Sequence, residues 1–171
     1  MGTKRIGLAR VEALVENLKR EIALGTGTIR AITVPEWVTN GDADLTVTEA
    51  LHAGKVIYQT DVSADKDYTI ATPSAAGITY RFIGVGTGAA ADGHAIILDF
   101  ADDACYFQGA VVHLDTNADN VAVWGNGTSH DRFTINVPSC YDITLVAKST
   151  GVCYITGYVV SATAPAFAAQ D

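Results

Sequence analysis

Apolar side chains recur at helical spacing over the first 24 residues of the chain. Leu8, Val11, Val15, Leu18 and Ile22 alternate at intervals of three and four, the a/d seam of a heptad, and Ile6 and Leu14 widen the stripe. Thr3 stands where an N-cap belongs. Helix formers run from Lys4 to Leu24, and Gly25 and Gly27 supply the stop. The pattern predicts one amphipathic α-helix about 33 Å long. Its seam covers fewer than three heptads, and a short isolated helix is marginal in water. The stripe is therefore expected to dock on its own body, on copies of itself or on a larger assembly.

From Thr28 the period changes to two. Phe133, Ile135 and Val137 share one face of the run Arg132–Val137, and the same alternation returns in Asp142–Leu145 and Ile78–Phe82. Further strands are expected at Ile29–Val34, Lys55–Thr60, Tyr68–Ala71, His94–Phe100, Ala110–Leu114, Val121–Trp124 and Cys153–Ser161. Asn40-Gly41, Ala76-Gly77, Asp92-Gly93, Asn126-Gly127 and Gly151 punctuate them. Only Thr48–Ala53 offers another helical turn, which argues against a βαβ fold. No repeat of fixed period is visible.

The pattern predicts a mainly β protein: an antiparallel β-sandwich or barrel of jelly-roll-like type, preceded by one N-terminal amphipathic α-helix. The expected organisation is a helical arm over 1–28, a connecting segment over 29–54, and a β-rich body over 55–171. The alanine-rich stretch Ala162–Asp171, with Pro165, reads as an extended tail rather than core.

Composition narrows the function classes. The chain has 171 residues and 17.9 kDa, enough for one domain with an appended arm. A net charge of −8 and a pI near 4.8 argue against binding a nucleic-acid backbone. No apolar run is long enough to span a bilayer, and the charged first 28 residues lack the apolar core of a secretory signal. Cys105, Cys140 and Cys153 form no C-x-x-C pair, so neither a disulfide nor a zinc framework is expected. The charge is uneven. Residues 1–21 hold Lys4, Arg5, Arg10, Lys19 and Arg20 against Glu12, Glu16 and Glu21, whereas the rest of the chain is strongly acidic. A slightly basic arm precedes an acidic body.

Candidate chemistry thins out on inspection. Gly84-Val85-Gly86-Thr87-Gly88-Ala89 matches a dinucleotide fingerprint in letters, but Asp92-Gly93 and a new strand follow where the helix should be. Ser129, His130 and Asp131 are triad residue types, yet consecutive side chains diverge and cannot assemble one. His52, His94 and His113 have no nucleophile at a suggestive spacing. Asn40, Asp42 and Asp44, and likewise Asp115, Asn117 and Asp119, alternate as calcium-loop ligands do, without the required Gly and Glu further on. Neither a metal nor a cofactor is expected. Trp37 and Trp124 could form a sugar platform, but the aromatic content, 8%, is ordinary for a β core, and core positions are expected for both.

Four segments, in order, carry a family resemblance. They are the arm Thr3–Glu21; Leu45-Thr46-Val47-Thr48-Glu49-Ala50 with Ala53-Gly54-Lys55-Val56-Ile57; Ala76-Gly77-Ile78-Thr79-Tyr80-Arg81-Phe82-Ile83; and the end, Cys153–Pro165, with its aromatic-x-x-x-G strand and Ser-Ala-Thr-x-Pro tail. Together they resemble virion structural proteins of tailed marine bacteriophages over nearly the whole chain. The acidic segment Asp99–Asp103 with Cys105 has no counterpart in that pattern.

The resemblance implies a capsid decoration or cement protein rather than an enzyme, made in the host cytoplasm and placed on the capsid exterior. Its partners would be the major capsid protein and itself, as a homotrimer, with neither nucleic acid nor membrane involved. The contacts would come from the helix stripe, Leu8, Val11, Leu14, Val15, Leu18 and Ile22, and from basic Lys4, Arg5 and Arg10. The alternative is a tail- or head-fibre module that binds a host receptor or glycan.

Overall fold

A computed structural model describes residues 36–85, 93–116 and 120–169. The expected N-terminal helix, with its apolar stripe and its basic residues Lys4, Arg5 and Arg10, lies outside the described residues. So does the strand expected at Ile29–Val34.

The described chain is mainly β. Its elements are β1 (Trp37–Asn40), β2 (Leu45–Val47), the single-turn helix α1 (Glu49–His52), β3 (Val56–Gln59), β4 (Lys66–Ile70), β5 (Thr79–Val85) and β6 (Ile96–Phe100). They continue with β7 (Tyr106–Asp115), β8 (Val121–Asn126), β9 (Arg132–Ile135), β10 (Pro138–Ser149), β11 (Val152–Ser161) and β12 (Ala166–Ala168). The strands form a seven-stranded sheet, ordered β1-β3-β5-β10-β11-β7-β8, and a five-stranded sheet, ordered β12-β9-β6-β4-β2.

The expected antiparallel, jelly-roll-like pairing is corrected here, because both sheets are mixed. From β1 to β6 the chain alternates between sheets. Each strand therefore lies parallel to the one two places earlier: β1, β3 and β5 in one sheet, and β2, β4 and β6 in the other. A parallel neighbour needs a crossover, and here the strand of the opposite sheet supplies it. Asn40-Gly41 turns the chain into the other layer instead of closing a hairpin. In-register positions such as Trp37, Val56 and Arg81 are unequally spaced along the sequence, which leaves no fixed repeat to detect. Antiparallel pairing dominates only in the second half, where β10 sits between β5 and β11.

Alternation sets the core. Tyr80 and Phe82 on β5, Ile143 and Leu145 on β10, and Cys153, Ile155 and Val159 on β11 point inward from the larger sheet. Tyr68 and Ile70, Leu98 and Phe100, and Phe133 and Ile135 answer from the smaller one, all in one apolar cluster. Each such side chain contributes roughly 1.5–3 kcal/mol by leaving water. Phe107 joins the layers, with its ring 4.4 Å from that of Phe100 and 6.0 Å from that of Phe167.

Two sequence expectations are revised by this packing. The described part of segment 29–54 is no mere connector, since β1 and β2 pair into the two sheets. Nor is the tail outside the fold: β12 pairs with β9, and Phe167 packs on Phe133 at 4.4 Å.

Polar side chains fasten the corner where β1, β3 and β4 meet. Gln59 donates to the carbonyls of Gly41 and Thr60 at 2.9 and 2.8 Å, and its Oε1 accepts from Asn40 at 2.8 Å and from the Tyr68 hydroxyl. Burial pushes the Tyr68 phenol well above its ordinary pKa, so it stays a neutral donor. Next to this corner Asp42 accepts from the Ser63 amide at 3.1 Å, from the Ser63 hydroxyl and from buried Lys66 at 2.7 Å.

Those hydrogen bonds, the one from Lys66 foremost, hold the Asp42 carboxyl well below the usual carboxylate range. The linked stability is present above the unfolded-chain pKa, about 4, and is lost as pH falls through the lower folded value. Asp42→Asn should therefore be less stable than the wild type at pH 7, with the gap narrowing toward pH 2. Urea midpoints at the two pH values measure this, and a gap that is constant or widens in acid would contradict it.

Candidate assembly surface

The outer face of the seven-stranded sheet departs from what a solvent-facing sheet should be. Strand parity sends Tyr154, Thr156 and Tyr158 of β11 outward, opposite the buried Cys153, Ile155 and Val159. Register sets Tyr158 between Asp142 and Val112, and Thr156 between Thr144 and Ala110. Ala110 is in turn paired with Trp124 on β8. Trp124 is 66% exposed, Tyr154 50%, Val112 44% and Tyr158 41%. At the far edge Trp37, 55% exposed, packs on Tyr58 with ring centroids 5.7 Å apart.

Charge is nearly excluded from this face. Thirteen Asp and Glu side chains lie among the described residues, and only Asp142 projects from it. That carboxylate is taken up by Arg81 through a two-point pair, Nε to Oδ1 at 2.9 Å and Nη2 to Oδ2 at 2.6 Å. The pair raises the Arg81 pKa further, so the guanidinium stays charged. Lys148, at the end of β10, donates to Gln108 on β7 at 3.0 Å. The remaining carboxylates sit elsewhere. Asp42, Asp44, Asp61 and Asp65 lie on loops, Asp67 and Asp99 on strands of the smaller sheet, and Asp102 and Asp103 after β6.

Where β8 and β12 form the sheet edges, an open groove of about 470 Å³ is lined by Val123, Trp124, His130, Pro165 and Phe167. The His130 ring lies nearly parallel to that of Phe167, at 6.0 Å and 13°.

The structure disperses the other sequence candidates. Both tryptophans are exposed, which corrects the core positions expected for them. Asn40, Asp42 and Asp44 do not converge, because each serves the corner separately, Asp44 by accepting from the Asp67 amide at 3.0 Å. Among the described residues no group of three or more His, Cys, Asp or Glu side chains is placed to hold a metal. Ser129 bonds Asn126 at 2.8 Å while His130 turns to Phe167. His113 meets the Ser161 carbonyl and hydroxyl, both at 3.1 Å. Burial and the Thr48 amide hold His52, whose pKa is lowered by desolvation. Cys105 and Cys153 are buried free thiols. Residues 86–92 of the glycine run and 117–119 of the second Asp/Asn run lie outside the described residues, as do the stripe and basic residues of the arm.

Sequence reasoning missed the outward aromatics, although a signal was present. On β8 and β11 both parities are apolar, as in Val121-Ala122-Val123-Trp124, which is the pattern of a strand covered on two sides.

Compared with known proteins, the chain matches no family model, no curated protein and no solved structure.

Proposed function

We propose that the chain is a virion structural protein of a tailed phage: a capsid decoration or cement protein that binds the capsid exterior as a trimer and stabilises the head. The observation that carries this reading is the broad aromatic face of the larger sheet, nearly free of charge, on a body that keeps its carboxylates elsewhere. Exposed apolar patches of this kind mark interaction sites. The four ordered motifs in the sequence support the same reading.

The physics is that of a clamp. Packed DNA pushes neighbouring capsomers apart at their seams, and an oligomer that bridges a seam adds buried area there. Symmetric attachment at several points raises avidity without strong single contacts. On this reading the arm is the grip: Leu8, Val11, Leu14, Val15, Leu18 and Ile22 offer an apolar stripe, and Lys4, Arg5 and Arg10 a positive charge, to the major capsid protein. The acidic loops face solvent and keep decorated particles apart through like-charge repulsion.

A second reading, a fibre module that binds a host glycan, is favoured by one observation, the exposed Trp124 ring beside the groove of His130 and Phe167. Counting copies in purified virions separates the two. A cement protein is expected in hundreds of copies per particle and a fibre module in a few tens at most. Absence from virions would overturn both.

A further inference from the structure

We infer that the outer face of the seven-stranded sheet, centred on Tyr158, is the surface through which two copies of this chain meet. The inference rests on reading this face as an assembly surface and names its occupant; a face packed on its own copy is a two-fold contact, so a trimer would have to be held elsewhere, as by the arm. Three observations select a second copy.

The first is charge. Each body is strongly acidic, so copies repel one another through most of their surface. Among the described residues the one carboxylate that projects from the middle of this face, Asp142, is already paired with Arg81 of the same chain, Lys148 is bonded to Gln108, and Lys55, at the β3 margin, is paired with Glu36. Two such faces can meet without opposing carboxylates, whereas a basic or acidic partner would find almost no field to answer.

The second is size. Seven strands at about 4.8 Å spacing, with side-chain rows about 7 Å apart, make a face of roughly 29 by 20 Å. In plan that is about 580 Å², some three quarters of the ~800 Å² that each partner buries in a standard stable interface.

The third is texture. Tyr154 and Tyr158 stand among Ala110, Val112, Thr144 and Thr156. Large aromatics ringed by small or short side chains suit a self-complementary packing, and Tyr is enriched among residues that dominate interface energies.

The test uses the full chain. Wild-type protein is expected to sediment at an even multiple of 17.9 kDa at micromolar concentration, because a face that meets its own copy closes a two-fold pair. Tyr158→Arg should raise the dissociation constant at least about 30-fold and shift the mass to that of one chain, with the β circular dichroism spectrum intact. Thr46→Arg, on the outer side of the smaller sheet, should leave the mass unchanged. A monomeric wild type, or a folded Tyr158→Arg protein of unchanged mass, overturns the inference.

Should Tyr158→Arg fail to fold, tyrosine nitration of the wild type decides. Tyr154 and Tyr158 should be protected in concentrated relative to dilute protein, and equal labelling overturns the inference. Capsid binding is scored separately. A monomer that decorates particles sinks this inference and leaves the virion reading standing. An oligomer held by this face but absent from particles does the reverse.

Discussion

Gly157→Ala is expected to cost about 2–6 kcal/mol, enough to consume much of the stability of a typical domain. Gly157 sits in the middle of β11 at φ +144, a conformation in which a side chain is strained by about 1–3 kcal/mol. A Cβ there would also overlap the carbonyl oxygen of Asp142 and come within 3.0 Å of the Ile143 Cα. Those atoms belong to the backbone of β10, Gly157's hydrogen-bonded neighbour, so relief requires the longest strand pair to open. Overpacking of this kind adds about 1–3 kcal/mol. Gly77→Ala is the internal control. Its φ of +88 is also positive, but a Cβ would meet nothing within 4 Å, so only the conformational strain remains. Urea unfolding of both variants checks the difference, and equal losses would show that the approach of β10 to β11 is not what requires Gly157.

Phe107→Ala comes next in size, at about 3–5 kcal/mol. Phe107 is fully buried and belongs to the larger sheet, yet its ring contacts are with Phe100 and Phe167 of the smaller one. Truncation would empty a volume bounded by both layers. Phe107→Leu, which keeps most of the volume, should lose less than half as much. Thermal unfolding of the three proteins tests this, and a loss near 1 kcal/mol for alanine would mean that the layers close over the gap.

Much of the core was legible before any coordinates, because inward positions alternate with polar ones where a strand faces water. Phe133 and Ile135, Ile143 and Leu145, and Tyr80 and Phe82 all follow that rule. Strand partnership was not legible. A Gly- or Asn-rich turn looks the same whether the chain folds back on its own sheet or crosses to the other, and here the crossings at Asn40-Gly41 and beyond put parallel neighbours where hairpins were expected. The strands β1, β2 and β12 span only three or four residues, too few for a period to show.

The tryptophans were misplaced for a related reason. Composition gives the number of aromatics, but only pairing tells which parity faces the other sheet. Trp124 shares its outward row with Ala110 and Thr156 rather than with the core. The outward aromatic face could have been suspected from β11, where Tyr154 and Tyr158 alternate with Cys153, Ile155 and Val159 and leave little polar surface on either side.

The alternating path of β1 to β6 has a mechanical consequence. Two plates held together by greasy contact alone can be peeled apart one row at a time. Here the covalent thread passes from plate to plate at every step, like lacing through eyelets, so delamination loads main-chain bonds at several stitches at once. A force that pulls the two sheets apart would therefore meet the peptide chain itself as well as the packing.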